Sequence, residues 1–185
     1  MFFSALSASL RWDVMKHAVY IGIGSNLGDR LGSCEKAIEH LKRHDDIDVV
    51  ATSSWYETEA VTLNQEREPS YINGAIKIST TLSPQKLLES LKTIETQMGR
   101  PSDHPKWSAR VIDLDILFYD DIVINLNPPL PPFSKGGMGG LIIPHPEIEI
   151  RWFVLKPLCD IAPDLIHPVL KKSVRELYDS ALMSS

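Results

Sequence analysis

The run Val111-Ile112-Asp113-Leu114-Asp115-Ile116-Leu117-Phe118 restricts the fold more than any other part of the chain. Side chains of an extended backbone alternate between faces, so Ile112, Leu114, Ile116 and Phe118 form an apolar side while Val111, Asp113, Asp115 and Leu117 share the other. The segment reads as a buried strand carrying two carboxylates on one face. With charged ends about 6 Å apart and an effective dielectric of about 20, two anions repel by roughly 3 kcal/mol before any desolvation cost. A divalent cation reverses that sign. Hard oxygen ligands so spaced suit Mg²⁺ held partly by protein and partly by phosphate oxygens, and two such ions could bridge a polyphosphate. Arg110, three residues before the first aspartate, and the nearby Trp107 give the segment the look of a phosphate clamp. An Asp-x-Asp pair is also an ordinary feature of solvated strands, so other parts of the chain must decide.

Ala18 to Ile23 alternates as a strand, with Val19, Ile21 and Ile23 on one side, and it ends in Gly24-Ser25-Asn26. Asp29 is placed to cap a helix whose Leu31, Cys34, Ile38 and Leu41 recur at spacings of three and four. Further strands are expected at Asp48 to Tyr56 and at Tyr71 to Thr80, with Ile72, Ile76 and Ile78 facing one way and Tyr71, Asn73 and Lys77 the other. A polar loop, residues 57 to 70, joins them. Ser83-Pro84 starts a second helix with Leu87, Leu88, Leu91, Ile94 and Met98 on one face, and Gly99 stops it. The order strand, helix, strand, strand, helix, strand is that of a ferredoxin-like α/β unit, an antiparallel sheet with both helices on one face. Tyr71, Asn73, Asp113 and Asp115 then emerge together on the opposite face, which is left for function.

Residues 127–141 concentrate four of the thirteen prolines and four of the ten glycines and read as a low-complexity insertion. Order returns at Ile142-Ile143-Pro144-His145-Pro146, residues 152 to 158 are apolar, and a closing helix is expected near residues 171 to 182. These form a C-terminal extension.

At 185 residues, 43% hydrophobic and 23% charged, the chain suits one globular domain over residues 15–185, preceded by a flexible tail, residues 1–14. Met15, just before the first strand, is an alternative start. A net charge of -5 and a pI near 5.7 leave no electrostatic footprint for duplex nucleic acid or an anionic membrane. No run of eighteen apolar residues exists, and the mildly apolar beginning lacks the features of a secretory signal. Cys34 and Cys159 form no metal-spacing pattern and fit reduced thiols in a cytoplasmic protein, both as core residues. Gly22, Gly24 and Gly28 are one residue too widely spaced for a dinucleotide fingerprint, and no P-loop occurs. Any phosphate must therefore be held by side chains and metal: Asp113 and Asp115 through Mg²⁺, with Arg100, Arg110 and Arg151 as direct partners.

With these residues assembled, the chain resembles the 6-hydroxymethyl-7,8-dihydropterin pyrophosphokinase family over about residues 16 to 170. The resemblance rests on Tyr20 to Gly28, Ser53 to Thr58, Tyr71 to Ala75, Trp107 to Leu117, and Pro144-His145-Pro146 through Phe153-Val154-Leu155. It implies a ferredoxin-like fold with C-terminal additions and transfer of pyrophosphate from ATP to a pterin alcohol, releasing AMP. By the same resemblance Asp113 and Asp115 hold two Mg²⁺ ions, while Arg100 and Arg110 engage the phosphates. Tyr71 and Phe153 sandwich the pterin, with Asn73 and Thr58 at its edge. His145, Arg151, Glu95 and Ile116 line the ATP side, and Trp107 is a lid residue. The expected protein is a cytoplasmic monomer acting on small molecules, with neither nucleic acid nor membrane as partner.

Ser108-Ala109, Glu59 and Ser102 depart from the family pattern, which bears on rate and loop motion more than on reaction type. Two other classes stay open at this point. An RNA-binding module of the RRM kind would use an open sheet with exposed aromatics, and a metal-dependent phosphodiesterase would also use paired aspartates.

Overall fold

The structure, a computed structural model, describes residues 15–59, 69–99, 110–126 and 141–183. The first four sequence-predicted segments become β1 (His17–Ser25), α1 (Arg30–Lys42), β2 (Ile47–Thr52) with β3 (Tyr56–Thr58), and β4 (Tyr71–Thr80). Then come α2 (Pro84–Gln97), β5 (Asp113–Tyr119), β6 (Ile124–Leu126), β7 (Leu141–Ile143), α3 (Trp152–Ile161) and α4 (Val174–Met183). The main sheet runs β2-β4-β1-β5 with β3 also on β4, and its pairings are antiparallel. That order is the split β-α-β arrangement expected of a ferredoxin-like unit. A separate hairpin pairs β6 with β7.

Local chemistry starts both helices as the sequence implies. The Asp29 carboxylate accepts the Gly32 N–H at 3.1 Å, and the Ser83 hydroxyl accepts the Lys86 N–H ahead of Pro84 at the first helical position. Gly99, at φ +95, ends α2 in the left-handed region that a side chain resists. Cys34, Ala37, Ile38 and Leu41 of α1 and Leu87, Leu91 and Ile94 of α2 pack on Val19, Ile21, Ile76, Ile78, Ile112, Leu114 and Ile116. Leu31, expected in the α1 stripe, is exposed, and Ala37 completes the buried stripe instead.

Three further expectations are corrected. The strand predicted from Asp48 to Tyr56 is broken in two. The Ser53 hydroxyl accepts the Ala75 N–H at 2.9 Å, and Trp55 turns its indole over Gly74. Phe118 faces the other way from Ile112, Leu114 and Ile116. The β1–β5 register shifts so that Ile21 opposes Ile116 while Tyr20 opposes Phe118, a bulge that puts Leu117 and Phe118 on one side and returns Tyr119 to the helix side. The face opposite α1 and α2 is only partly open, because α3 and α4 bury Leu155, Leu158, Val174 and Leu177 against Tyr20, Ala75, Leu117 and Phe118.

Cys34 is buried, which pushes its thiol up to about 12, whereas Cys159 is half-buried; the two are unbonded. No described helix is long and apolar enough to cross a membrane.

Candidate active site

The part of the sheet that α3 and α4 leave open is organised by register. One row across it reads Asp113 on β5, Gly24 on β1, Asn73 on β4 and Tyr56 on β3; the next starts at Asp115 and Gly22 and ends at Ala75, which is already buried beneath the C-terminal helices. The two glycines leave backbone without side chains between the β5 carboxylates and β4, with Gly22 half-buried and Gly24 buried beside Asn73 and Tyr71. A Cβ on Gly24 would come within 3.2 Å of Asn73 Oδ1, and one on Gly22 within 3.3 Å of Leu117 Cδ2, so side chains there would narrow the shelf. At its far end Asn73 Nδ2 donates to Thr58 Oγ1 at 2.7 Å. This leaves Asn73 Oδ1 as an acceptor and the Thr58 hydroxyl proton as a donor, a pair that matches the polar edge of a heterocycle. Tyr71 is the cross-strand neighbour of Thr58.

At the near end Arg110 donates from Nη1 to Asp113 Oδ2 at 2.7 Å. Its backbone is fixed by Asn26 in both directions: Arg110 N–H donates to Asn26 Oδ1 at 2.7 Å, and Asn26 N–H donates to the Arg110 carbonyl at 3.2 Å. Asn26 Nδ2 and Ser25 Oγ are buried with no hydrogen-bond partner among the described residues.

The strand carrying the aspartates ends the sheet, and its outer edge is secured on both sides of Asp115. Glu95 of α2, buried in the helix side, accepts the Leu114 N–H at 2.7 Å, and His145 N–H donates to the Leu117 carbonyl at 3.1 Å. Lys92 pairs with Glu95 at 2.9 Å. Burial first, and Asp113 second, push the Asp115 carboxyl above its ordinary range, with His145, Lys92 and Arg151 partly offsetting them. Burial pushes His145 down, while Asp115 pulls it back. Burial also opposes the Arg110 charge, but Asp113, Tyr71 and Asp115 outweigh it and hold the guanidinium above its usual value.

Arg110, Asp113, Asp115, His145, Thr58, Asn73 and Tyr71 thus gather on or beside the open shelf. Arg151 stands at the start of α3, ion-paired with Glu147, and its guanidinium lies 6.0 Å over the Phe153 ring. Ile116 is buried in the helix-side core, on the opposite side of β5 from Asp115. Arg100 and Trp107 lie outside the described residues, as do Ser102, Ser108 and Ala109 and residues 1–14 and 127–140. Sequence reasoning passed over the shelf glycines, Asn26 and Lys92. Glycines at alternate positions of a strand pattern were the available signal for the first.

Two carboxylates on one face of a strand suit a hard divalent cation that takes the rest of its shell from phosphate and water. Comparison with known proteins gives the same direction. Residues 20–163 match the model of the family described as 7,8-dihydro-6-hydroxymethylpterin-pyrophosphokinase (HPPK).

The chain belongs to this family.

It is 38% identical over 158 residues to the 2-amino-4-hydroxy-6-hydroxymethyldihydropteridine pyrophosphokinase of Aquifex aeolicus, covering 85% of this chain and 88% of that protein. It is 40% identical over 162 residues to a folic acid synthesis protein of Pneumocystis carinii, covering 88% of this chain but 20% of that one. Among solved structures it resembles a Plasmodium falciparum HPPK-DHPS with a TM-score of 0.72 at 18% identity, over 94% of this chain and 46% of the other. The HPPK fold thus accounts for nearly the whole described structure, and the chain spans less than half of that Plasmodium protein.

Proposed function

We propose that the protein transfers pyrophosphate from ATP to the hydroxymethyl group of 6-hydroxymethyl-7,8-dihydropterin, releasing AMP, as a step of folate biosynthesis. The observation that carries this reading is one shelf with two chemically different ends. Asp113, Asp115 and Arg110 stand at one, and the Asn73–Thr58 pair with Tyr71 stands at the other, with glycine backbone between. A flat heterocycle with polar edges fits the second end, and a phosphate chain fits the first.

In the proposed reaction the pterin hydroxyl oxygen bonds to the β-phosphorus as the bond from that phosphorus to the α,β-bridging oxygen breaks. AMP leaves with that oxygen, and the hydroxyl proton passes to solvent. Mg²⁺, expected as two ions on Asp113 and Asp115, supplies charge neutralisation on the phosphates when bound. The Asn26 contacts fix the Arg110 backbone and Asp113 holds its guanidinium beside the carboxylate pair, so its charge stands next to the phosphates it would neutralise. Arg100 is proposed to act beside it. Thr58, Asn73, Tyr71 and Phe153 are proposed to hold the pterin and His145 and Arg151 to bound the nucleotide side, where Ile116, its side chain in the core, can contribute only backbone and Glu95 acts by holding the β5 edge; Trp107 is proposed to close over the site and exclude competing water.

Residues 15–185 are proposed to form a single catalytic domain carrying the insertion at 127–141. The protein is proposed to be a monomer that works in the cytoplasm on small molecules; the acidic pI supports the lack of a nucleic-acid or membrane partner, and the unbonded cysteines fit a reducing compartment. The RRM-like alternative loses its basis where α3 and α4 cover much of the sheet face that would stack bases. Incubation with Mg-ATP and the pterin alcohol should yield AMP and pterin diphosphate in equal amounts. Formation of ADP, or nucleotide hydrolysis independent of the pterin, would contradict the proposal.

A further inference from the structure

The pterin end of the shelf stands on the shortest strand of the main sheet. β3 has three residues, and its last rungs, Glu57 opposite Ile72 and Thr58 opposite Tyr71, end the β3–β4 ladder beside the proposed binding residues. Ladder ends open most easily. Here the end is tied from behind. Arg30, the first residue of α1, donates from one nitrogen, Nη1, to Glu57 Oε1 at 2.9 Å, to the Ser70 carbonyl at 2.7 Å and to Ser70 Oγ at 2.6 Å. The Ser70 hydroxyl in turn donates to Glu57 Oε1 at 2.5 Å. Glu57 shares the helix side of the sheet with its partner Ile72, whereas Thr58, Tyr71 and Asn73 fall on the other side.

Neither local preference nor global stability explains this cluster. A cation in the first turn opposes the helix dipole; that turn itself carries no acid, and the Asp29 carboxylate at the N-cap is engaged by the Gly32 N–H. Glu57 is more than half exposed, and ion pairs so exposed add little to folding. A residue that breaks a local rule without a stability gain points to function.

We propose that Arg30, Glu57 and Ser70 form a positioning clamp that holds Thr58 and Tyr71 in register for pterin binding. The inference rests on the pterin assignment above and deepens it. Arg30 bonds to Glu57 and Ser70 behind β3, on the side of the sheet away from Thr58 and Tyr71. It acts through β3, so the cost of ordering the Thr58–Asn73 pair is met before the ligand arrives. Three acceptors converge on one nitrogen, so a lysine ammonium, with three protons of its own, is the conservative replacement for the guanidinium.

The test measures pterin affinity by calorimetry, and the separate kcat and KM for pterin and for ATP, in wild type, Arg30→Ala, Glu57→Gln and Arg30→Lys. Arg30→Ala should raise Kd and KM for the pterin about tenfold, the scale of one lost charged hydrogen bond. The KM for ATP and kcat should stay within about twofold, Glu57→Gln should follow more weakly, and Arg30→Lys should restore most of the affinity. Unchanged pterin affinity in Arg30→Ala would overturn the clamp, as would a parallel rise in both KM values with a lowered melting temperature. A wild type that binds no pterin would overturn the underlying reading and the clamp together, whereas wild-type binding with an indifferent Arg30→Ala would overturn the clamp alone.

Discussion

Glu95 accepts the backbone N–H of Leu114 at 2.7 Å, midway between the two aspartates, so a carboxylate on α2 fixes the spacing of the pair on β5. Without that acceptor the strand would present a buried, unpaired donor at its free edge. Glu95→Ala should cost about 1–3 kcal/mol of stability, the range for an orphaned buried hydrogen-bonding group, and should lower turnover as the strand edge loosens. Glu95→Gln keeps an acceptor and should be milder in urea denaturation. Equal stability of wild type and the alanine variant would show that the contact does not hold the strand.

Asp115 is a charge the apoprotein holds at a cost, since burial and Asp113 both disfavour its ionised form. Asp115→Asn removes the repulsion while keeping the shape. In the absence of divalent cation the variant should melt above wild type, yet make no AMP. Magnesium with a non-hydrolysable ATP analogue should raise the wild-type melting temperature and leave that of the variant unmoved. Identical cation responses would remove Asp115 from the metal site.

Two glycines of one sheet should answer differently to the same methyl group. A Cβ on Gly74 would collide with the Trp55 indole under the sheet, whereas one on Gly24 would press on Asn73 Oδ1 at the shelf. Gly74→Ala should lose about 1–3 kcal/mol through overpacking. Gly24→Ala should keep its stability and bind the pterin more weakly. Chemical denaturation and calorimetry on the pair separate the two effects, and a Gly24→Ala protein with normal affinity would refute the shelf.

His167 gives the fold a dependence on pH. Its Nδ1 accepts the N–H groups of Val169 and Leu170 at 3.2 and 3.1 Å, and burial pushes its pKa below the ordinary 6.5, with Glu149 pulling slightly back. The unfolded chain therefore binds more protons than the folded one in the window just below 6.5. The contribution of His167 is complete above that value and is lost as the pH falls toward the folded-state pKa. Urea midpoints should drop from neutral to mildly acid pH in wild type, and less steeply in His167→Gln. Parallel pH profiles would rule out this residue as the cause.

Much of the fold is legible in local patterns because each is enforced by neighbours in sequence. Asp29 and Ser83 cap the helices they were expected to cap, and the isoleucines of β1, β4 and β5 face the helices. What the chain conceals depends on partners distant in sequence. Phe118 changes sides only because β1 pairs with β5 through a bulge, and the second strand breaks because the Ser53 hydroxyl substitutes for a ladder rung on Ala75. For the site, the aspartate pair and Asn73 were readable from alternation. Lys92 and the edge contact of Glu95 were not, since nothing local to α2 shows which strand lies beneath it.

Gly22 and Gly24 have a consequence for recognition. Neither residue has rotamers to freeze, so tightening the site around a guest surrenders almost no freedom along this part of β1. Selectivity in such a site would come from its two borders, where Asn73 and Thr58 stand on one side and the aspartates on the other.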